Sequence, residues 1–325
     1  MRAFLVRRVL GSLLILFAVA SILFVLFRMM PGDPTAQVIS PALDDAAQAR
    51  LKQAFGLDKP LWEQYVIYIK NLVTLEWGRS FTSGEPVSSL LSGWLVNTVL
   101  LMSAGLAIAV GLGVALGVMM AWWRNGPLDV GATLTAMILQ AAPPFVTGIL
   151  LLILLSYRLD LFPAAGILTP GSAITGMWAT VTSADFLHHL VLPTITITAY
   201  YLAMPTLVMR DSMLEVLGSD YIEFVRAKGL EPRVIMVAHA ARNALLAVVT
   251  VSSLIVGYAI GGQVVVETVF SWPGMGKAMV EAALRLDYPV AQAAFFLLAA
   301  LVIVLNLLTD LSYSLLDPRI RTGDA

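Results

Sequence analysis

Gly276-Lys277 is the place where this sequence comes closest to a phosphate-binding pattern. Such a loop cradles phosphates with backbone amides and needs a glycine five residues earlier and a serine or threonine after the lysine. Ser271 occupies the position of the earlier glycine, and Ala278 follows the lysine. The sequence therefore carries no nucleotide-binding signature.

Histidine, cysteine and carboxylate residues form no pattern typical of a catalytic or metal site. His188 and His189 are adjacent, whereas His239 lies far along the chain. Neither the HExxH pattern of zinc proteases nor the GxSxG pattern of serine hydrolases occurs. With no cysteine, thiol nucleophiles, disulfides and cysteine-ligated metals are excluded. We predict a chain with no catalytic residue, no metal and no cofactor of its own.

The chain is far more apolar than a soluble domain. Of its 325 residues, 59% are hydrophobic and 13% are charged, whereas about a quarter are charged in typical soluble proteins. Several uncharged runs exceed the roughly 20 residues that cross a bilayer. The net charge of −1 and the lack of a basic arm argue against nucleic-acid binding. We predict an all-α, polytopic membrane protein.

Hydropathy predicts six membrane-spanning helices. They lie at about residues 9–29, 96–122, 130–156, 189–209, 245–266 and 290–312. Eleven of the 20 Lys and Arg residues fall in the segments that alternate to one side, which are 1–8, 123–129, 210–244 and 313–325. Because basic residues near span ends stay on the cytoplasmic side, we expect both termini in the cytoplasm.

The first apolar run predicts a retained helix rather than a cleaved signal peptide. It covers 19 residues after Arg8, which is longer than a signal peptide's apolar region, and no small-x-small site closes it. The chain is thus expected to have four parts. They are a basic segment with the first span (1–30), an extracytoplasmic helical segment (31–95), a five-helix membrane core (96–316) that includes the loop 210–244, and a cytoplasmic tail (317–325).

The extracytoplasmic segment contains an amphipathic helix that starts at Pro60. Leu61, Tyr65, Ile69 and Leu72 recur at helical spacing. One interpretation is a helical cap with its aromatic residues at the level of the lipid headgroups, which the sequence favours. The other is a docking surface for an external partner.

Prolines and polar residues interrupt the predicted spans. Pro143-Pro144 must kink or break the third span, because two backbone donors are missing. Such breaks can line a transport path, although proline kinks also occur as packing features. Asn306 and Asp310 lie one turn apart, which fits an interhelical hydrogen bond better than an ion site. The candidates for a path or gate are Pro143, Pro144, Phe145, Phe270, Trp272, Pro273, Asn306 and Asp310.

A polar segment at residues 220–243 interrupts the apolar second half of the chain. Asp220 is a candidate N-cap with Glu223 three residues later, and Gly229 is a candidate left-handed C-cap. Pro232 suits the first turn of a second helix. We expect Tyr221, Phe224, Val225 and Lys228 to share one side of the first helix. That side suits either the groove of another protein or anionic lipid, and physics alone leaves both open.

At these residues the chain resembles the permease subunits of binding-protein-dependent ABC importers. The closest type is the first of the two permeases in dipeptide, oligopeptide and nickel uptake systems. Arg-Ala-Lys-Gly-Leu at 226–230 resembles the permease signature loop, and 239–245 resembles its continuation. Phe224, Val225 and Ala247 depart from the pattern. Further matching motifs lie at 28–34, 56–60, 77–80, 83–86, 162–166, 192–193, 270–274, 287–290 and 316–320.

The resemblance implies a set of partners in a bacterial cytoplasmic membrane. A second, homologous permease would share the translocation path, and an extracytoplasmic binding protein would deliver peptide. Two cytoplasmic ATPase subunits would bind ATP and Mg²⁺. The resemblance favours peptide over nickel as the substrate. A self-sufficient secondary carrier is the alternative from a different class.

The resemblance also implies which residues couple the chain to the ATPases. They would belong to the first short helix of the polar segment and to its C-terminal turn. They are Tyr221, Glu223, Phe224, Arg226, Ala227, Lys228, Gly229 and Leu230.

Overall fold

The computed structural model describes residues 2–29, 59–261 and 264–316, which are helical apart from turns, loops and one isolated bridge between Arg79 and Pro86. In chain order the helices are α1 (Arg2–Met29), α2 (Leu61–Thr74), α3 (Val87–Trp122), α4 (Pro127–Ala141), α5 (Pro144–Leu151), α6 (Met177–Val181), α7 (Ala184–Tyr201), α8 (Ala203–Leu217), α9 (Asp220–Ala227), α10 (Pro232–Val234), α11 (Arg242–Gly261), α12 (Val264–Val269), α13 (Met275–Leu284) and α14 (Tyr288–Leu316). π-Helical turns extend α5 over Leu152–Arg158 and join α10 to α11 over Ile235–Ala241. Residues 31–58 of the predicted extracytoplasmic segment and the predicted tail at 317–325 lie outside the described residues.

The helices confirm the predicted class of polytopic helical membrane protein. Four helices in the described ranges are long and apolar enough to span a bilayer, and two bent pairs raise the number to six if each pair is one span. The four are Val6–Met29, Val87–Trp122, Pro232–Val256 and Tyr288–Leu308. The bent pairs are α4 with the Pro144–Arg158 helix, and α7 with α8. Each matches one of the six predicted spans, although several begin or end beyond the predicted limits.

Proline chemistry explains both bends. The chain turns by 101° between α4 and the helix that begins at Pro144, as expected for two consecutive residues without backbone donors. Pro193, by contrast, lies inside α7 without ending it. The 43° bend follows Tyr201, whose carbonyl would pair with the missing N–H of Pro205 in a regular helix.

One compact unit combines Met1–Thr98 with Pro273–Leu307. Its core brings together residues from α1, α3, α13 and α14, such as Phe27, Leu91, Met275 and Ala291. Burial of these side chains joins two stretches of chain that are far apart in sequence. The predicted four-part division follows membrane sides instead of contacts, and its boundaries stay a prediction.

Asp287 holds the loop that precedes α3 in the same unit. Its carboxylate accepts hydrogen bonds from the Ser80 hydroxyl, from Phe81 N at 3.0 Å and from Thr82 N at 3.2 Å. Asp287 is 3% exposed and Ser80 is 4% exposed. A buried carboxylate requires such donors, because burial without them is strongly unfavourable. Two of the sequence motifs, at 77–80 and 287–290, therefore meet in the fold.

The second unit combines Val99–Trp272 with Leu308–Ala325, and glycines on α3 shape its packing. A Cβ added at Gly117 would stand 2.6 Å from the Thr206 carbonyl oxygen and from Met209 Cβ, and one at Gly113 would stand 2.8 Å from Pro205 Cγ. Real contacts are longer, so only glycine permits this approach of α3 to α8. Gly113 and Gly117 thus pack within the chain.

The turn between α12 and α13 begins within the second unit. Trp272 is fully buried, and its ring centroid lies 5.6 Å from that of Phe186 on α7. Phe270 is also buried, and its carbonyl accepts a hydrogen bond of 3.0 Å from Gly166 N. The aromatic residues of this turn belong to the apolar core of the unit.

Candidate coupling site

The short helix α9 begins one residue earlier than its sequence predicts. Ser219 has the extended backbone of a capping residue, with φ −84° and ψ 152°, and its carbonyl accepts from Ile222 N at 3.0 Å. Asp220 is already helical, so its prediction as the N-cap is wrong. The Ser219 hydroxyl donates to the Val216 carbonyl at 2.6 Å and does not cap the helix. Asp220 and Glu223 instead stabilise the first turn through their charge at the positive end of the helix dipole.

Two buried side chains attach α9 to the rest of the second unit. Ile222 is fully buried and Val225 is 4% exposed, and both pack in a core that includes Met209 and Met213 of α8 and Ile235. Residues three apart share a face of a helix, so these two form a single anchoring edge. The predicted grouping of Val225 with Tyr221 and Phe224 is wrong, because Val225 points into the core.

The eight predicted coupling residues all lie on the exposed side of this anchored segment. Tyr221 is 45% exposed, Phe224 60% and Leu230 36%, and the others are exposed as well. Exposure of a large aromatic ring to water is unfavourable. Such exposed rings are typical of a surface that contacts another molecule. Ile222 and Val225, the two residues between 221 and 230 that are not among the eight, attach the segment to the core.

Two contacts order the exposed side. Lys228 Nζ lies 4.5 Å above the centroid of the Phe224 ring, within the range of a cation–π interaction. Tyr221 Oη lies 2.6 Å from His239 Nδ1, which is hydrogen-bonding distance. The second contact joins α9 to the π-helical turn that precedes α11. Sequence spacing offers no signal for it, because the two residues are 18 positions apart.

Gly229 ends the helix in the predicted way. Its φ is +76°, in the left-handed region that glycine tolerates best, and its N–H donates to the Arg226 carbonyl at 2.9 Å. A Cβ at this position would meet no heavy atom within 4 Å, so the backbone angle alone selects for glycine. Pro232 occupies the start of the next helix, as predicted.

An ion pair beside this site was not predicted. Arg210 of α8 donates from Nε to Asp129 Oδ1 at 2.6 Å and from Nη2 to Asp129 Oδ2 at 3.0 Å. The carboxylate also accepts from Asn125 N at 2.9 Å. The pair joins the first turn of α4 to the helix that carries Met213, against which α9 packs. A charge in the first turn after Pro127 is visible in the sequence, but its partner is 81 residues away.

The candidate path residues belong to both units, and Phe270 and Trp272 share an apolar core in the second unit. Pro143 and Pro144 form the 101° bend, and Phe145 is 45% exposed in the turn that follows. The Pro273 carbonyl accepts from Asn97 Nδ2 at 2.9 Å in the first unit. Asn306 is exposed on α14, and the surroundings of the Asp310 side chain lie outside the described residues.

Up to six helices that could span a membrane, with a short amphipathic helix between two of them, are typical of an integral membrane protein. Residues 113–322 match the family described as "binding-protein-dependent transport system inner membrane component", and residues 1–89 match its N-terminal region. The chain belongs to this family. It is therefore the membrane-embedded permease component of a transport system that works with a binding protein.

Several relatives match the chain over nearly its full length. A putative peptide permease protein of Brucella suis is 39% identical over 97% of this chain and 98% of its own. The oligopeptide transport system permease protein AppB of Bacillus subtilis is 37% identical over 99% of this chain and 100% of its own. The glutathione transport system permease protein GsiC of Escherichia coli K12 is 33% identical, with 98% of both chains covered.

Proposed function

We propose that this permease imports peptides, driven by ATP hydrolysis in separate subunits. Its relatives are named for oligopeptide, dipeptide and glutathione transport, and they match it end to end. Peptides therefore form the expected substrate class. A second, homologous permease would complete the path, two ATPases would hold ATP and Mg²⁺, and an extracytoplasmic binding protein would deliver the peptide. In this proposal the chain itself carries out no catalytic step.

One observation carries the coupling role. The segment 221–230 presents eight exposed residues on α9 and its C-terminal turn, and the opposite edge of α9, Ile222 and Val225, is packed against Met209 and Met213. An aromatic and basic surface of this kind suits a groove on an ATPase subunit. Because α9 is attached through buried contacts, a displacement of α9 would move α8 and the start of α11 as one body. This proposal places the loop and both termini in the cytoplasm.

The path through the membrane belongs to the same proposal. The break at Pro143-Pro144 exposes Phe145, and Asn306 is exposed on α14. These residues would contact the substrate or the second permease. Phe270, Trp272 and Pro273 would act indirectly, because they shape the turn between α12 and α13. Asp310 would contribute from the last turns of α14.

The experiment is reconstitution of the permease pair, the ATPases and the binding protein in liposomes, with a labelled dipeptide outside and ATP inside. We expect ATP-dependent accumulation that Phe224→Ala lowers by at least about tenfold, a loss typical of an aromatic interface anchor. Trp178→Ala is the matched control, since Trp178 is also a large exposed aromatic residue, at 79%, but lies outside the loop. Gradient-driven flux by this chain alone would contradict the proposal and indicate a secondary carrier.

A further inference from the structure

A cavity in the first unit is lined by residues other than those of the candidate coupling site. It lies between the end of α1, the helix α2 with its following turn, and the start of α14, and its volume is about 230 Å³. The polar side chains on its wall include Arg28, Gln64, Tyr68, Asn71, Trp77 and Gln292. Exposed Glu76 and Arg79 also line it, and their opposite charges offset each other. Arg28 therefore leaves the wall with a net positive charge.

Four buried polar atoms on this wall make no hydrogen bond within the described part of the chain. Three are donors, namely Arg28 Nε, Tyr68 Oη and Trp77 Nε1, and the fourth is the acceptor Gln64 Oε1. Buried polar groups are nearly always paired, so a cluster of such groups around one cavity indicates a bound species. Three donors, one of them on a cation, favour an anionic oxygen ligand.

Neighbouring contacts hold these donors in place before any ligand binds. The Phe24 ring lies 5.6 Å from the Tyr68 ring, and the Arg28 guanidinium lies 5.4 Å from the Phe24 centroid. Tyr65 Oη lies 2.7 Å from Ser21 Oγ, which ties α2 to α1. Burial raises the pKa of Tyr68, so its hydroxyl keeps the proton that it would donate.

The position of the cavity at the end of α1 indicates the source of the anion. Arg28 is in the last turn of an apolar spanning helix, so the cavity lies at a membrane surface, where Tyr and Trp also accumulate. In the turns before Arg28, the helix exposes Ile22, Val25 and Leu26 at 50% or more. An apolar surface followed by a cationic cavity matches an acyl chain followed by its headgroup.

We propose that this cavity binds the phosphate of an anionic phospholipid, with the acyl chains along the exposed side of α1. The Arg28 guanidinium, the Tyr68 hydroxyl and the Trp77 indole N–H donate to the phosphate oxygens. Gln64 Oε1 accepts a hydrogen bond from a headgroup hydroxyl. The site is independent of the transported substrate and of ATPase coupling.

The test is thermal unfolding of the full chain, purified in detergent with the subunits that accompany it. Dioctanoyl phosphatidylglycerol is the ligand, dioctanoylglycerol supplies the same chains without phosphate, and inorganic phosphate supplies the anion without chains. We expect only the phospholipid to raise the unfolding midpoint saturably, by about 3 °C. An equal rise with inorganic phosphate, or with the dipeptide Ala-Ala, would overturn the lipid assignment.

Two variants locate the effect at the cavity. Tyr68→Phe removes one donor and keeps the ring that packs on Phe24, and Arg28→Gln removes the charge. Each should raise the half-saturating lipid concentration by about tenfold, as expected for the loss of one hydrogen bond to a charged group. Lys70→Gln is the control, because Lys70 is exposed on α2 and does not line the cavity. An unchanged lipid response in Tyr68→Phe, with its lipid-free midpoint preserved, would overturn the proposal.

Discussion

Arg210 and Asp129 form a bidentate ion pair that joins α8 to the first turn of α4, with N···O distances of 2.6 and 3.0 Å. The Asp129 side chain is 4% exposed, whereas that of Asp211, which pairs with the same guanidinium at 2.9 Å, is 71% exposed. A single arginine thus holds one buried and one solvated carboxylate. The buried one matters more for stability, because its charge has few other donors.

Removal of the arginine tests the buried pair. Arg210→Gln leaves the Asp129 charge buried and should lower the free energy of unfolding in detergent by roughly 3 kcal/mol. Asp211→Asn, the control at the exposed partner, should cost less than about 1 kcal/mol. The double variant Asp129→Asn/Arg210→Gln should lose less than Arg210→Gln alone, because it leaves no buried charge. Equal losses for Arg210→Gln and Asp211→Asn would refute this assignment.

Two variants at the end of α9 test the effect of a charge with the same backbone strain in both. Asn and Asp both tolerate the left-handed conformation that Gly229 adopts, and space around its Cβ position is open. Gly229→Asp should insert normally but uncouple ATP hydrolysis from peptide uptake, because it places a negative charge beside the basic surface. Gly229→Asn carries the same backbone strain without the charge and should transport within about twofold of the original protein, because Asn is one of the few residues that adopt the left-handed conformation. Both activities are measured in liposomes, and normal uptake by the Asp variant would refute the prediction.

Substitutions at a buried and at an exposed residue of α9 should separate effects on stability from effects on docking. Ile222→Ala should lower the free energy of unfolding by about 2–4 kcal/mol, because it opens a cavity in a fully buried position. Phe224→Ala should change it by less than about 0.5 kcal/mol, as is usual at exposed positions. Thermal unfolding of the two variants provides the comparison, and a larger loss for Phe224→Ala would show that the helix is oriented differently.

Glycine packing on α3 has a matched control in the same helix. Gly117→Ala should destabilise the protein by about 1–3 kcal/mol, because its Cβ would collide with the Thr206 carbonyl and Met209. Gly111→Ala meets no atom within 4 Å and should be neutral or slightly stabilising. Unfolding midpoints measured in the same detergent compare the two, and equal midpoints would contradict the close approach of α3 to α8.

The Asp287 carboxylate and the three groups that donate to it, which we call the Asp287 clamp, should stabilise the loop that precedes α3. Asp287→Asn turns one acceptor into a donor among the N–H groups of Phe81 and Thr82 and the Ser80 hydroxyl, and should cost about 1–3 kcal/mol. Protease cleavage within residues 78–86 should also accelerate. Asp160→Asn, at an exposed residue elsewhere, is the control. Unchanged cleavage would show that the loop is held by other contacts.

Local physical rules determined much of this protein from its sequence. Hydropathy over about 20 residues predicts the spans, because the bilayer imposes the same requirement on every helix. Proline chemistry predicts the break at Pro143-Pro144, and glycine chemistry predicts the left-handed turn at Gly229. The resemblance to known permeases predicts the coupling segment from a run of adjacent residues.

The side of each helix that meets a given neighbour depends on tertiary packing. Val225 and Phe224 are adjacent apolar residues, and the position of Met213 in space is what buries the first and leaves the second exposed. The Asp129–Arg210 pair and the Asp287 clamp join residues about 80 and 200 positions apart. Such contacts depend on how whole helices pack, because long-range pairing has no periodic signature in the chain.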